Sequence, residues 1–147
     1  MTTINPYLTF EGNCENAFNF YRAVFGGEFT FLGRFSDMPE DPNYPVSDEA
    51  RNQIMHVSLP IGGDTILMGS DTGGHDSGNF NVGNNISLSI TVDSKEKADE
   101  FFSKLSSEGK VSMEMSSTFW GDYFGMCTDR FGINWMISFR EEESASE

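Results

Sequence analysis

A strand followed by an amphipathic helix is written twice in this chain, and that repetition constrains the fold more than any other feature. Tyr7-Leu8-Thr9-Phe10 alternates and Glu11-Gly12-Asn13 turns the chain. Ala17, Phe20, Tyr21, Val24 and Phe25 then recur at the i, i+3, i+4, i+7, i+8 spacing of a helix with one apolar stripe. Asn13 is positioned as its N-cap and Gly26-Gly27 as its stop. Farther on, Ile86–Val92 alternates strictly, and Asp93 or Ser94 caps a second helix. Glu96, three residues after Asp93, completes a possible capping box. Ala98, Phe101, Phe102 and Leu105 then repeat the first helix's spacing up to Gly109. Each helix is succeeded by three strand-like segments. The first set is Glu28–Phe35, Ile54–Ile61 and Thr65–Met68; the second is Val111–Ser116, Tyr123–Asp129 and Ile133–Phe139. The pattern is βαβββ written twice, an α+β arrangement. Two helices cannot cover both faces of eight strands, so one face of the sheet must enclose something else.

Charge and composition narrow the function classes. At 147 residues the chain is the size of one ordinary domain. Nine Lys and Arg against 23 Asp and Glu leave a formal charge of -14, which argues against nucleic acid and against anionic membrane surfaces as partners. No apolar run approaches the ~18 residues of a spanning helix. The amino terminus shows no basic and apolar leader pattern. Two cysteines, Cys14 and Cys127, suggest no disulfide framework, so a reducing cytoplasm is the expected location. Fourteen Phe and eight Met point to an aromatic, adaptable interior. Residues 37–52, with Pro39, Pro42 and Pro45 among acidic residues, read as an irregular excursion, and the glycine-rich stretch 70–84 reads as a connection between the halves. The expected organisation is a single domain over 1–140, with modules at 4–71 and 84–140, and a disordered acidic tail over 141–147.

Strand alternation sorts side chains onto two faces. Leu8 and Phe10; Met55, Val57, Leu59 and Ile61; Ile86, Leu88, Ile90 and Val92; and Ile133, Trp135, Ile137 and Phe139 are expected to pack against helices. The opposite faces carry Tyr7 and Thr9, Ile54, His56 and Ser58, Ser87, Ser89 and Thr91, and Asn134, Met136 and Ser138. If the sheet cups, those faces line a concave site; on periodicity alone, solvated faces of an open sheet remain the alternative.

The motifs resemble those of a known superfamily. The helix opening Asn13-Cys14-Glu15-Asn16-Ala17-Phe18-Asn19-Phe20-Tyr21 carries the likeness first. With it go Pro6–Phe10, Met55-His56-Val57, Ile66–Asp71, Thr118-Phe119-Trp120-Gly121 and the run Phe124–Ile137. Together they are similar to the vicinal-oxygen-chelate superfamily of glyoxalase I, bleomycin-resistance proteins and extradiol dioxygenases. Within it the chain looks like the PhnB-like branch, whose members often carry a 3-demethylubiquinone methyltransferase label. The resemblance implies a cupped mixed sheet, a homodimer, and a concave face where the enzymes hold a divalent metal. Their ligand positions fall here at Tyr7 (or Pro6), Ser87, Leu67 or Met68, and Met136. None offers the imidazole or carboxylate that such an ion wants, so no metal and no other cofactor is expected.

Among other candidates, His56 has Ser58 beside it on one strand face and suits general-base work or a hydrogen-bonding role. His75 sits in the glycine-rich connection and reads as solvated. Asp71 and Asp129 both stand where carboxylates accept turn hydrogen bonds; Asp129 reads as such a turn carboxylate, whereas for Asp71, which follows Gly69-Ser70, a place at the rim of the cavity is an equal alternative. Trp120, with Phe119, Tyr123 and Phe124, forms an aromatic cluster suited to a pocket wall or a contact between copies, with core packing as the third reading. Cys127 reads as an inert structural thiol. No phosphate loop is present, and no glycine-rich turn in a doubly wound pattern is available to cradle S-adenosylmethionine.

The resulting expectation is a metal-free protein that binds a small organic molecule through Tyr7, His56, Asp71, Ser87, Trp120, Phe124 and Met136, with catalysis left open. One alternative is a metal-dependent lyase or dioxygenase with rearranged ligands drawn from His56 and Asp71. A regulatory subunit whose concave face takes a protein partner is the other.

Overall fold

The computed structural model describes residues 1–74 and 78–141, so the readings of His75 and of 142–147 lie outside the described residues. The chain divides into two compact units, Met1–Asn81 and Val82–Glu147.

The first unit holds β1 (Tyr7–Phe10), α1 (Cys14–Phe25), β2 (Phe31–Arg34), a short 3-10 turn (Phe35–Asp37), β3 (Ile54–Gly62) and β4 (Thr65–Asp71). Its sheet runs β1-β4-β3-β2, with β1 parallel to β4 and the other pairs antiparallel. The second unit holds β5 (Leu88–Val92), α2 (Lys95–Ser106), β6 (Lys110–Ser117), β7 (Asp122–Thr128) and β8 (Asn134–Arg140). Its order is β5-β8-β7-β6, with β5 parallel to β8. Strand orders and directions match position for position, so the repeat in the sequence is a repeat in topology.

Each helix packs on one face of its own sheet, and burial alternates accordingly along β4 and β7. In the first unit Leu8, Phe10, Val57, Leu59 and Leu67 meet α1 residues Cys14, Ala17, Phe18, Tyr21 and Val24. The helical stripe therefore runs through Phe18 and Cys14, while the expected Phe20 and Phe25 are only half-buried. In the second unit Trp135 and Ile137 are buried beneath Ala98, Phe102 and Leu105. Met55, Ile61, Leu88, Ile90, Val92, Ile133 and Phe139, expected in the cores, are half-buried.

Several expected boundaries move for identifiable reasons. Ile86 is 71% exposed rather than packed, because pairing with β8 begins at Leu88 opposite Trp135. Asn134 Nδ2 donates instead to the Ile86 carbonyl at 3.0 Å. Ile54 is buried instead of sharing the open face with His56. It lies where β2 and β3 slip register at Gly33/Arg34, and its N–H is drawn to Asp71 Oδ2 at 2.9 Å. β4 continues to Asp71, three residues beyond the expected Met68, because β1 supplies a parallel partner along that stretch. Ser94 is the side chain that caps α2, accepting from Lys97 N at 3.0 Å. Asn13 makes no side-chain cap bond. Glu141, which the sequence assigns to the tail, donates its N–H to the Gly121 carbonyl at 2.9 Å and pairs with Lys95 at 3.8 Å.

Candidate functional site

On the helix-free face of the first sheet, three polar groups form one chain. Tyr7 Oη lies 3.0 Å from His56 Nδ1, and His56 Nε2 lies 2.9 Å from Ser58 Oγ. Strand geometry brings them together. His56 and Ser58 are two residues apart on β3 and so share a face, while Tyr7 and Ser58 both register with Met68 from opposite sides of β4. A neutral imidazole donates from one nitrogen and accepts at the other. The three groups therefore pass hydrogen bonds along a single line in whichever tautomer is present. Two rings flank the imidazole: Tyr7 with centroids 5.5 Å away and Phe31 at 5.8 Å. Tyr7 and Phe31 are each about half exposed. Both nitrogens of His56 are engaged, so its free-standing general-base role requires it to release Tyr7 or Ser58 first. What remains available is a set of aromatic faces with hydroxyl groups at their edge, suited to recognising a flat molecule with a polar substituent.

The second sheet presents a different helix-free face. Phe124, Met126 and Thr128 of β7 lie beside Ser138, Met136 and Asn134 of β8, pair by pair, and Ser89 of β5 registers with Met136. Trp120 joins this surface, its ring 6.1 Å from that of Phe124. Its indole N–H donates to Asp122 Oδ2 at 2.9 Å, and Asp122 Oδ1 accepts from Arg140 at 3.1 Å. Phe119 stacks edge-on against Trp120 and is 97% exposed.

The expected residues thus distribute unevenly. Tyr7 and His56 meet in one unit, and Trp120, Phe124 and Met136 share a face in the other. Ser87 precedes β5 and stands exposed outside the ladder, because that strand starts one residue later. Asp71 is not at a rim. It is buried, its Oδ1 accepts the N–H of Gly12 at 2.8 Å and of Cys14 at 3.0 Å, and its Oδ2 takes that of Ile54. It ties the start of α1 to the sheet, a role whose only sequence signal is its place at a strand end. Phe31 and Asp122 are the contributors that sequence reasoning missed. Phe31 stood in a strand assigned without faces, and Asp122 had no motif to mark it.

The residues at the superfamily's metal positions do not fit a divalent ion. The Tyr7 hydroxyl is engaged by His56, Leu67 is buried towards α1, Met68 and Met136 offer only thioethers, and Ser87 is off the strand. His56 and Asp71 do not form a replacement pair, since Asp71 is spent on backbone N–H groups. Among the described residues no three His, Cys, Asp or Glu side chains are grouped to hold a metal. Neither cysteine is an available nucleophile. Burial, and then Asp71, push the Cys14 thiol well above its ordinary range, and burial pushes Cys127 up to about 11.

Comparison with known proteins adds the family. A family model described as 3-demethylubiquinone-9 3-methyltransferase matches residues 2–138. The chain belongs to that family. Protein YjdN of Escherichia coli K12 is 30% identical to it over 95% of this chain and 97% of that protein. The crystal structure of protein PA1353 from Pseudomonas aeruginosa superposes with a TM-score of 0.84 at 37% identity, covering 97% of this chain and 100% of the other. A PhnB protein from Bacillus cereus gives 0.74 at 27%, covering 94% and 99%. A glyoxalase/bleomycin resistance protein/dioxygenase family enzyme from Burkholderia phytofirmans shares the fold alone, with a TM-score of 0.60 at 15% identity over 93% and 95%. The PhnB-like resemblance and the α+β fold of the glyoxalase/bleomycin-resistance type are therefore established. No helix among the described residues is long and apolar enough to cross a membrane.

Proposed function

We propose that this PhnB-like protein binds a small organic molecule, without a divalent metal, on the helix-free faces of its sheets. The observation that carries the reading is the Tyr7–His56–Ser58 chain framed by the Tyr7 and Phe31 rings on a part-exposed sheet face. Trp120, Phe124 and Met136 supply a second apolar surface. Aromatic stacking provides affinity, and the hydroxyl–imidazole line provides orientation. Methyl transfer, named for the family, is not part of this reading. Asp71 accepts the N–H of Cys14, the first residue of α1, and that of Gly12 just before it, and Ser94 takes that of Lys97 in α2. Neither helix follows the glycine-rich strand-to-helix turn of a doubly wound sheet that cradles a nucleotide-like cofactor. The reading includes a cytoplasmic homodimer, supported by the apolar exposure of Val111, Met113 and Phe119 along and beside the edge strand β6.

Titration calorimetry against cationic antibiotics and aromatic metabolites tests the reading, with elemental analysis of the purified chain alongside. At least one aromatic compound is expected to saturate, and His56→Ala to weaken it about tenfold, with stacking lost on Trp120→Ala for ligands that reach the second face. Absence of any saturating compound, or a stoichiometric Ni, Zn, Fe or Mn ion, overturns it.

A further inference from the structure

The connection between β2 and β3 frames an open surface pocket of about 530 Å³, within the range of about 300–1,000 Å³ typical of small-molecule sites. Its backbone is stitched at both ends. Phe35 N–H donates to the Gln53 carbonyl at 3.1 Å, and Ser36 N–H to that of Arg51 at 2.9 Å. Asp41 holds the tip by accepting from Asn43 N at its side chain and from Tyr44 N at its carbonyl. The walls are Phe35, Met38, Tyr44, Val46 and three prolines, whose fixed φ angles reduce the entropy lost when a guest is held. Phe35 is seated against Gly73, where an added Cβ would come within 2.6 Å of its ring. The cavity shares no residue with the Tyr7–His56 face.

Its charges select the guest. The first unit has three arginines: Arg22 pairs with Glu28 and Arg34 with Glu15. Arg51 lines the cavity and has no ion-pair or ring partner among the described residues, although Glu40 and Asp41 line the same space. A guanidinium left unpaired in a chain of charge -14 favours a carboxylate, which it holds through two parallel hydrogen bonds. A simple anion would meet the field of Glu40 and Asp41, and a simple cation that of Arg51. A zwitterion with an apolar body satisfies all three groups.

We propose that this cavity binds an aromatic amino acid or a close analogue, its carboxylate on Arg51, its ammonium towards Glu40 and Asp41, and its ring among Phe35, Tyr44 and the prolines. Calorimetric titration of the full chain with L-tryptophan, tryptamine and indole-3-propionate separates the charges on one ring system. L-tryptophan is expected to bind about fivefold or more tightly than either singly charged probe. Arg51→Gln, at an exposed position, should weaken L-tryptophan and indole-3-propionate about tenfold and leave tryptamine within about twofold. Glu40→Gln should weaken tryptamine and L-tryptophan instead, and His56→Ala should change none of the three. Insensitivity of every probe to Arg51→Gln, no saturation by any probe up to roughly 5 mM, or loss of binding in His56→Ala overturns the proposal.

Discussion

Two buried carboxylates solve the same problem in the two units. Asp71 accepts three backbone N–H groups, from Gly12, Cys14 and Ile54. Asp129 accepts the N–H groups of Phe131 and Ile133 and the indole N–H of Trp135 at 2.8 Å. A charged acceptor in three directed hydrogen bonds is worth keeping buried; an unmet N–H left behind costs about 1–3 kcal/mol. Asp71→Asn turns one oxygen into a donor facing a donor, so unfolding free energy by urea should fall by roughly 2–4 kcal/mol. If Asp71→Asn keeps its stability and loses only ligand affinity, the rim role that the sequence suggested for Asp71 is restored. Asp129 was legible as a turn residue because Arg130-Phe131-Gly132 comes directly after it. Asp71 stayed open between the rim and hydrogen-bond acceptance because nothing local reveals that a strand-end carboxylate answers N–H groups 59 and 17 residues away.

At the scale of elements, each unit uses a strand glycine to bring its helix close. Gly69 in β4 lies under Phe18 of α1, and Gly125 in β7 lies under Phe102 of α2 beside Met115. A Cβ on Gly69 would stand 2.7 Å from both the Leu8 carbonyl oxygen and the Phe18 ring, whereas on Gly125 its nearest neighbour is the Met115 sulfur at 2.5 Å. Backbone and a packed ring cannot yield, but a thioether on an edge strand can swing away. Gly69→Ala should therefore destabilise by about 1–3 kcal/mol and Gly125→Ala by clearly less, as read from chemical denaturation of the two variants. Equal losses would show that Met115 is as tightly held as the Leu8 backbone. The helices were readable from their spacing, but the spacing favoured Phe20 and Phe25 over Phe18. The glycine that makes room for Phe18 lies 51 positions farther along, so no window of sequence contains both.

For the molecule as a whole, period-two alternation made much of the sheet faces legible: Tyr7 with His56 and Ser58, and Met136 with Ser89, fall where parity puts them, while Ile54 does not. Register and strand starts were not legible, and they separate Ser87 from that set. The same two-unit plan places one buried thiol in each half, Cys14 and Cys127, and these set an alkaline limit on the chain. Both thiols are raised above their ordinary range, mainly by burial. Between the unfolded value of about 8.5 and the folded value, the native state holds protons that the unfolded state has released, so stability falls as pH rises through that window. Well below that unfolded value, near neutral pH, both states keep their thiol protons and the slope from them is small. The steepest loss expected is about 1.4 kcal/mol per pH unit for each thiol. Repulsion among the charges behind the net -14 would also grow with pH, but it is screened by salt, whereas burial of a thiol is not. Urea midpoints measured from pH 7.5 to 10.5 at low and high NaCl distinguish the two. The decline should persist at high salt and shrink in Cys127→Ala, while a decline abolished by salt would assign it to surface repulsion instead.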